Sequence, residues 1–187
     1  MDHPRLQELI DHHDIRQLLA TYCHGCDRAD EIEMASVYHE ESWDDHGPLK
    51  AKGKPFSIQT VRDAIATTDL VSHLLGQSQI RVDGDSAGAE TYFLATLLYP
   101  PKAPGEPQTI GQLGGRYVDR LVRQDGRWLI VDRVCIREWS HSHPAVGDWL
   151  ATAGFVGQQR GGDDPSYRAL GLTHAGNPWL APADAEA

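Results

Sequence analysis

Between residues 6 and 22 the apolar positions Leu6, Leu9, Ile10, Ile15, Leu18, Leu19 and Tyr22 recur at steps that follow a helical face, while Glu8, Asp11, Asp14 and Arg16 occupy other faces. That spacing predicts an amphipathic helix of about five turns ending near Gly25. Asp30 and Glu31 open a second, shorter helix through Met34, Ala35 and Val37, their charges suited to the positive end of a helix, and His39-Glu40-Glu41 closes it. Gly47-Pro48 and Gly53-Lys54-Pro55 interrupt residues 42 to 56, which predicts a short strand near Trp43 and then a loop. Ser57 is the expected N-cap of a third helix that buries Ile58, Val61, Ala64 and Ile65.

From residue 71 the period changes to that of extended chain, in segments at 71 to 83, 87 to 100, 109 to 123 and 127 to 140. Asp83-Gly84-Asp85 and Gln124-Asp125-Gly126 are hairpin signals, because a tight turn demands the positive φ that glycine adopts without steric cost. Pro100-Pro101-Lys102-Ala103-Pro104-Gly105 makes a longer, stiffer connection. Ala89, Thr91, Phe93, Ala95, Leu97 and Tyr99 share one face of their strand, and Leu129, Val131, Arg133 and Cys135 one face of theirs. Helices followed by hairpin-connected strands predict an α+β domain: a cone-shaped barrel in which a curved antiparallel sheet carries three N-terminal helices and encloses a pocket. The expected division is a domain over residues 1–143 and an extension over 144–187 that packs on the same domain or on a partner subunit. The extension is richer in Gly, Pro and Asp and shows only a short helix pattern at 146 to 153.

Composition narrows the partners. With 187 residues the chain suits one well-buried domain. Acidic residues outnumber basic ones 27 to 17, a net charge of -10 that disfavours nucleic acid and anionic membrane. A start without a signal-peptide pattern, and no apolar run of about 18 residues, give the expectation of a cytoplasmic protein with no membrane partner. Three cysteines argue for reduced thiols. Cys23-His24-Gly25-Cys26 has metal-ligand spacing, yet no second pair completes four ligands, so its thiols read as buried helix-end groups and no metal is expected. His39, His46, His141, His143 and His174 belong to no ligand motif. Gly111, Gly114 and Gly115 lie inside a strand pattern, where close packing or a bulge explains them.

The order Tyr22, Asp27-Arg28, a short helix, Trp43-Asp44-Asp45-His46-Gly47, His73-Leu74-Leu75-Gly76, Gly115-Arg116-Tyr117-Val118-Asp119-Arg120-Leu121 and Asp125-Gly126-Arg127-Trp128-Leu129-Ile130 resembles the SnoaL-like branch of the nuclear transport factor 2-like superfamily, over residues 5 to 140. That superfamily holds dehydratases, isomerases, cyclases, epoxide hydrolases and non-catalytic subunits, so the fold alone does not set the function. The pattern is most similar to scytalone dehydratase, bile-acid dehydratase and hexachlorocyclohexane dehydrochlorinase. The resemblance implies that Asp27 orients His73 and that His73 removes a proton during an elimination. The chemistry is sound, because neutral imidazole titrates at about 6.5 and a carboxylate on its other nitrogen fixes the tautomer and stabilises the imidazolium.

By the same resemblance Tyr22 stands where bile-acid dehydratase has a tyrosine that could donate to a departing oxygen. Arg133 stands where the dehydrochlorinase has an arginine that could stabilise a leaving anion. Scytalone dehydratase uses two histidines, but the region around Thr91, Phe93 and Ala95 that matches its second one has none. His46 could be a second pocket histidine; the pattern favours a single His-Asp dyad. The expected pocket lining is Trp43, Phe56, Leu75, Phe93, Leu97, Leu113 and Trp139, suited to a small hydrophobic substrate, aromatic or alicyclic. The expectation is a cofactor-independent lyase, assembled as a homodimer or homotrimer through its sheet as its relatives are. An isomerase or cyclase of the same fold, or a non-catalytic protein that binds a ligand or resembles the small subunit of ring-hydroxylating dioxygenases, are the alternatives.

Overall fold

The computed structural model describes residues 4–147 and 153–174. Helix α1 (Pro4–Asp27) runs past Gly25 to Asp27 and buries Asp11, Ile15, Leu18, Leu19, Tyr22, Cys23 and Cys26. Ala29, at φ 57°, turns the chain back, and Asp30 caps α2 (Glu31–Ala35) by accepting hydrogen bonds from the amides of Ile32 at 3.1 Å and Glu33 at 2.9 Å. The two helices approach so closely that a Cβ on Gly25 would lie 2.4 Å from the Met34 nitrogen, so only glycine fits there.

After α2 the chain extends at once. Strand β1 (Tyr38–Asp45) includes His39-Glu40-Glu41, which the sequence placed at a helix end. Pairing with a later strand and the alternate burial of Ser42 and Asp44 outweigh the local helix signals. After the two-residue β2 (Lys50–Ala51), α3 (Gly53–Thr67) begins one turn before the expected cap. Lys52 is its N-cap, without a side-chain cap, while Ser57 sits inside the helix and donates its hydroxyl to the Gly53 carbonyl at 2.8 Å. Phe56 and Val61 are buried, and Ile58, Ala64 and Ile65 half-buried.

The four long strands are β3 (Leu70–Asp83), β4 (Ser86–Tyr99), β5 (Thr109–Gln124) and β6 (Arg127–Pro144). They complete a six-stranded sheet in the order β2-β1-β6-β5-β4-β3, the expected α+β cone with its N-terminal helices. All pairings are antiparallel except β1 beside β6, which is parallel; these strands are far apart in sequence and no hairpin dictates their direction. Register shifts at Leu75/Ser78, Gly114/Gly115 and Arg120/Leu121 are bulges of the kind that bend a sheet. The last shift leaves Val131 without a partner, so the inward face passes from Trp128 and Ile130 to Arg133 and Cys135. Leu129 and Val131 therefore do not share a face with Arg133, contrary to simple alternation.

The described part of the tail packs on the end of α1. Gly161 donates its amide to the Arg28 carbonyl at 2.7 Å, and Arg28 reaches Asp164 at 2.9 Å. Gln158 Nε2 bridges the carbonyls of Asp27 and Val71 at 3.1 and 3.2 Å. Asp164 caps α4 (Pro165–Leu170), whose Tyr167 donates its hydroxyl to Asp30 at 2.9 Å. The helix expected at 146 to 153 falls mostly on residues 148–152, outside the described residues. Among the described residues no helix is long and apolar enough to cross a membrane.

Candidate active site

Asp27 is the last residue of α1, at the negative end of a helix, where a carboxylate gains nothing from the helix dipole. Its partners lie on β3. Oδ1 accepts from the His73 ring at Nδ1, 2.6 Å away, and Oδ2 accepts the His73 backbone amide at 2.9 Å. Both side chains are only 10% exposed. With Nδ1 committed to Asp27, Nε2 is the ring nitrogen left for the cavity that His73 lines. Such an imidazole can accept a proton at Nε2 and spread the resulting charge onto the carboxylate.

The cavity measures about 300 Å³. Phe56, Phe93, Leu97 and Leu113 line it, as the sequence led us to expect, and Tyr22 does so as well. Phe93 stacks on Tyr117 with ring centroids 4.3 Å apart, forming a flat aromatic wall. Thr60 supplies a buried hydroxyl with no hydrogen-bond partner among the described residues.

Four expected residues lie elsewhere. Trp43 alternates with buried Ser42 and Asp44, which turns it to the outer face at 48% exposure. Trp139 pairs with Gly114, packs over it, and is 51% exposed; the alternation of β5 sets Gly114 on the face opposite Leu113. Leu75 is half-buried against the core just before the β3 bulge, outside the cavity wall. Arg133 is completely buried and not part of that wall. Its Nε and Nη2 donate to the two oxygens of Asp119 at 2.7 and 2.9 Å. Its guanidinium carbon lies 4.2 Å from the Tyr22 ring centroid and 4.3 Å from that of Tyr117. Burial works against the Arg133 charge, but Asp119 outweighs it and holds the guanidinium above its usual range. The arginine expected to meet a leaving anion instead supports two cavity tyrosines from behind.

A second histidine-carboxylate pair shares the cavity, where a single dyad was expected. His46 lines it beside Phe56, with ring centroids 4.6 Å apart. His46 Nδ1 hydrogen-bonds one oxygen of the fully buried Asp44, whose other oxygen accepts the Tyr38 hydroxyl. His46 Nε2 lies 3.4 Å from the Tyr22 hydroxyl. Burial pushes the Tyr22 hydroxyl well above its usual pKa, with the Arg133 charge pulling the other way. The signal was local: two positions apart at the end of a strand, Asp44 and His46 lie on one side of the chain.

Cys26 Sγ, an Asp27 oxygen and a His73 nitrogen lie within 4.8 Å of one another, a group that could hold an ion. Burial, and secondarily the Asp27 charge, pushes the Cys26 thiol up, and the same two causes bring Cys23 to about 12. Both are therefore protonated thiols at neutral pH in the metal-free chain.

This fold, with a carboxylate-held histidine beside an apolar cavity, belongs to a known class. The chain is a member of the SnoaL-like domain family, whose model matches residues 7–134. It is 26% identical over 129 residues to the uncharacterized protein Rv2910c of Mycobacterium tuberculosis, an alignment covering 68% of this chain and 85% of that one. A solved structure of a candidate scytalone dehydratase from Novosphingobium aromaticivorans superposes with a TM-score of 0.64 at 21% identity, covering 74% of this chain and 91% of the other. Hexachlorocyclohexane dehydrochlorinase LinA-type3 from Novosphingobium barchaimii gives 0.64 at 17% identity, covering 77% and 96%. At these identities the two structures establish the shared fold.

Proposed function

We propose that this chain is a cofactor-independent lyase acting on a small hydrophobic substrate, with His73 as the base and Asp27 as the group that orients it. The observation that carries this reading is the 2.6 Å contact between Asp27 Oδ1 and His73 Nδ1 at the wall of a largely apolar cavity. His73 Nε2 takes a proton from a substrate carbon, the electron pair becomes a double bond, and a group on the neighbouring carbon departs. In this reading Tyr22, which lines the same cavity, donates to that group. A positioned base contributes about 10²–10⁴ in rate, so assistance to departure is needed as well. A purely binding role would use the cavity but would not need the Asp27–His73 contact at its wall.

The test is to offer the purified chain a panel of β-hydroxy aryl and alicyclic ketones and read the product mass. Loss of one water in the parent, abolished in His73→Ala, supports the reading. Products of unchanged mass would favour an isomerase. No turnover beyond that of His73→Ala across the panel would count against a lyase of this substrate class.

The reading includes a homodimer or homotrimer. Trp43, Val134 and Trp139 are exposed, and the alternation along their strands sets them on the outer face of the sheet. Val134→Glu is expected to lower the mass measured by light scattering, and an unchanged mass would remove this face from the assembly.

A further inference from the structure

The chain Asp44–His46–Tyr22 is the most developed polar feature that the base does not use. It runs from a fully buried carboxylate, through a histidine whose side chain is 12% exposed, to a tyrosine hydroxyl, and its last two members line the same cavity as His73. Each end is fixed. Tyr38 on β1 holds the other oxygen of Asp44, so that carboxylate cannot swing away from the ring. Phe56 on α3 and Tyr117 on β5 flank the imidazole at centroid separations of 4.6 and 5.9 Å. Arg133 on β6 lies over the rings of Tyr22 and Tyr117 and favours negative charge on their oxygens. Cys23 and Cys26 on α1 also act on the Tyr22 hydroxyl, and His73 on β3, Asp63 on α3, and Cys135 and Arg137 on β6 share the cavity with it and His46.

We propose that this chain is a proton-delivery arm that sets the class of leaving group: His46 and Tyr22 protonate a departing hydroxyl, so the substrate is a β-hydroxy compound and not a halide. The proposal rests on the reading of His73 as the base. A halide leaves as a stable anion and needs no proton, whereas hydroxide is a poor leaving group unless it departs as water. The tautomer logic follows from the contacts. In neutral His46, Nδ1 keeps its proton for Asp44 and Nε2 accepts from Tyr22. In the imidazolium, Nε2–H donates to the Tyr22 oxygen instead, which frees the Tyr22 hydrogen for the cavity. In the step, His73 Nε2 takes the carbon-bound proton, the C–H pair becomes the double bond, and the C–O bond breaks. The departing oxygen receives the Tyr22 proton, and Tyr22 is reprotonated by His46. One water leaves, His73 ends protonated and His46 neutral, and exchange with solvent resets both.

Two arms test this. In the first, β-hydroxybutyrophenone and β-chlorobutyrophenone are offered to the parent and to His46→Gln, with uptake of solvent deuterium beside the carbonyl followed in the same reaction. The proposal predicts that His46→Gln lowers elimination of water by about 10²–10⁴, and that the ratio of water to chloride elimination falls by at least about tenfold. Equal losses for both leaving groups, or no loss for the hydroxyl, overturn the arm. A parent that neither exchanges deuterium nor eliminates from either ketone counts against the base reading itself. The second arm needs no turnover: the His46 ring is titrated by nitrogen NMR in the parent and in Tyr22→Phe. The proposal predicts a neutral tautomer protonated at Nδ1 and a midpoint that moves when the Tyr22 hydroxyl is removed. A neutral form protonated at Nε2, or an unmoved midpoint, overturns it.

Discussion

Asp27 holds His73 twice, with Oδ1 on the ring at 2.6 Å and Oδ2 on the backbone amide at 2.9 Å. One carboxylate therefore fixes both where β3 passes the end of α1 and how the imidazole is turned. Asp27→Asn keeps an oxygen for the amide but turns an NH2 group toward Nδ1, which selects the His73 tautomer protonated at Nε2 and leaves no base facing the cavity. The expected result is a folded protein with kcat lowered by about 10²–10⁴, read by steady-state kinetics beside circular dichroism. Full activity in Asp27→Asn would show that the carboxylate only closes the helix.

Arg133 is completely buried on Asp119, so removing the carboxylate alone leaves an uncompensated charge. Asp119→Ala is expected to cost about 3–5 kcal/mol in urea denaturation. The double variant Asp119→Leu with Arg133→Met removes both charges and should recover a large part of that loss. A double variant as unstable as the single one would mean that packing at these positions, not charge pairing, sets the cost.

Asp164 ties the tail to the end of α1. Burial raises its pKa, but the Ser166 hydroxyl and amide, Arg28 and the Gln159 amide outweigh that and hold the carboxyl well below its ordinary 3.8. A depressed folded pKa gives stability that is present above the unfolded value and is lost as pH falls below it. Protection factors for hydrogen exchange in residues 158–170 are therefore expected to hold at neutral pH and to fall below about pH 4 more than those in β4 and β5. In Asp164→Asn that extra fall should disappear, and its persistence would assign the acid sensitivity to other groups.

Gly25 is demanded by contact with α2, since a Cβ there would lie 2.4 Å from the Met34 nitrogen and 2.8 Å from its Cα, both backbone atoms. Gly25→Ala, which would usually stabilise a helix, is expected here to destabilise by about 1–3 kcal/mol, checked by the thermal midpoint. A raised midpoint would show that the two helices can part without cost.

The helices and long strands were legible because their periods are long and strongly patterned; α1, β3 and β4 follow them closely. The region from His39 to Ser57 was not, since β1 and the start of α3 are set by pairing with β6 and by packing of Gly53 on Tyr38 rather than by local propensity. Bulges explain a further part. A strand read by strict alternation cannot show that Val131 drops out of register, nor that Trp139 ends on the face opposite Leu113. Motif order brought Asp27 to His73 across 46 positions, because the family pattern carries that distance. It did not bring Asp44 to His46, although they are neighbours, because the second histidine was expected on another strand. Arg133 shows a different limit: its place in sequence matched a pattern, and its role turned on Asp119, a partner that spacing does not reveal.

The central claim is that His73 takes a proton from carbon. The most direct measurement is uptake of solvent deuterium beside the carbonyl of an aryl ketone such as β-hydroxybutyrophenone, followed by NMR with the parent, His73→Gln and Asp27→Asn. Exchange that is catalysed by the parent, falls by about 10² or more in both variants, and rises through a single ionisation in its pH profile is the predicted result. Exchange at the parent rate in His73→Gln would contradict it.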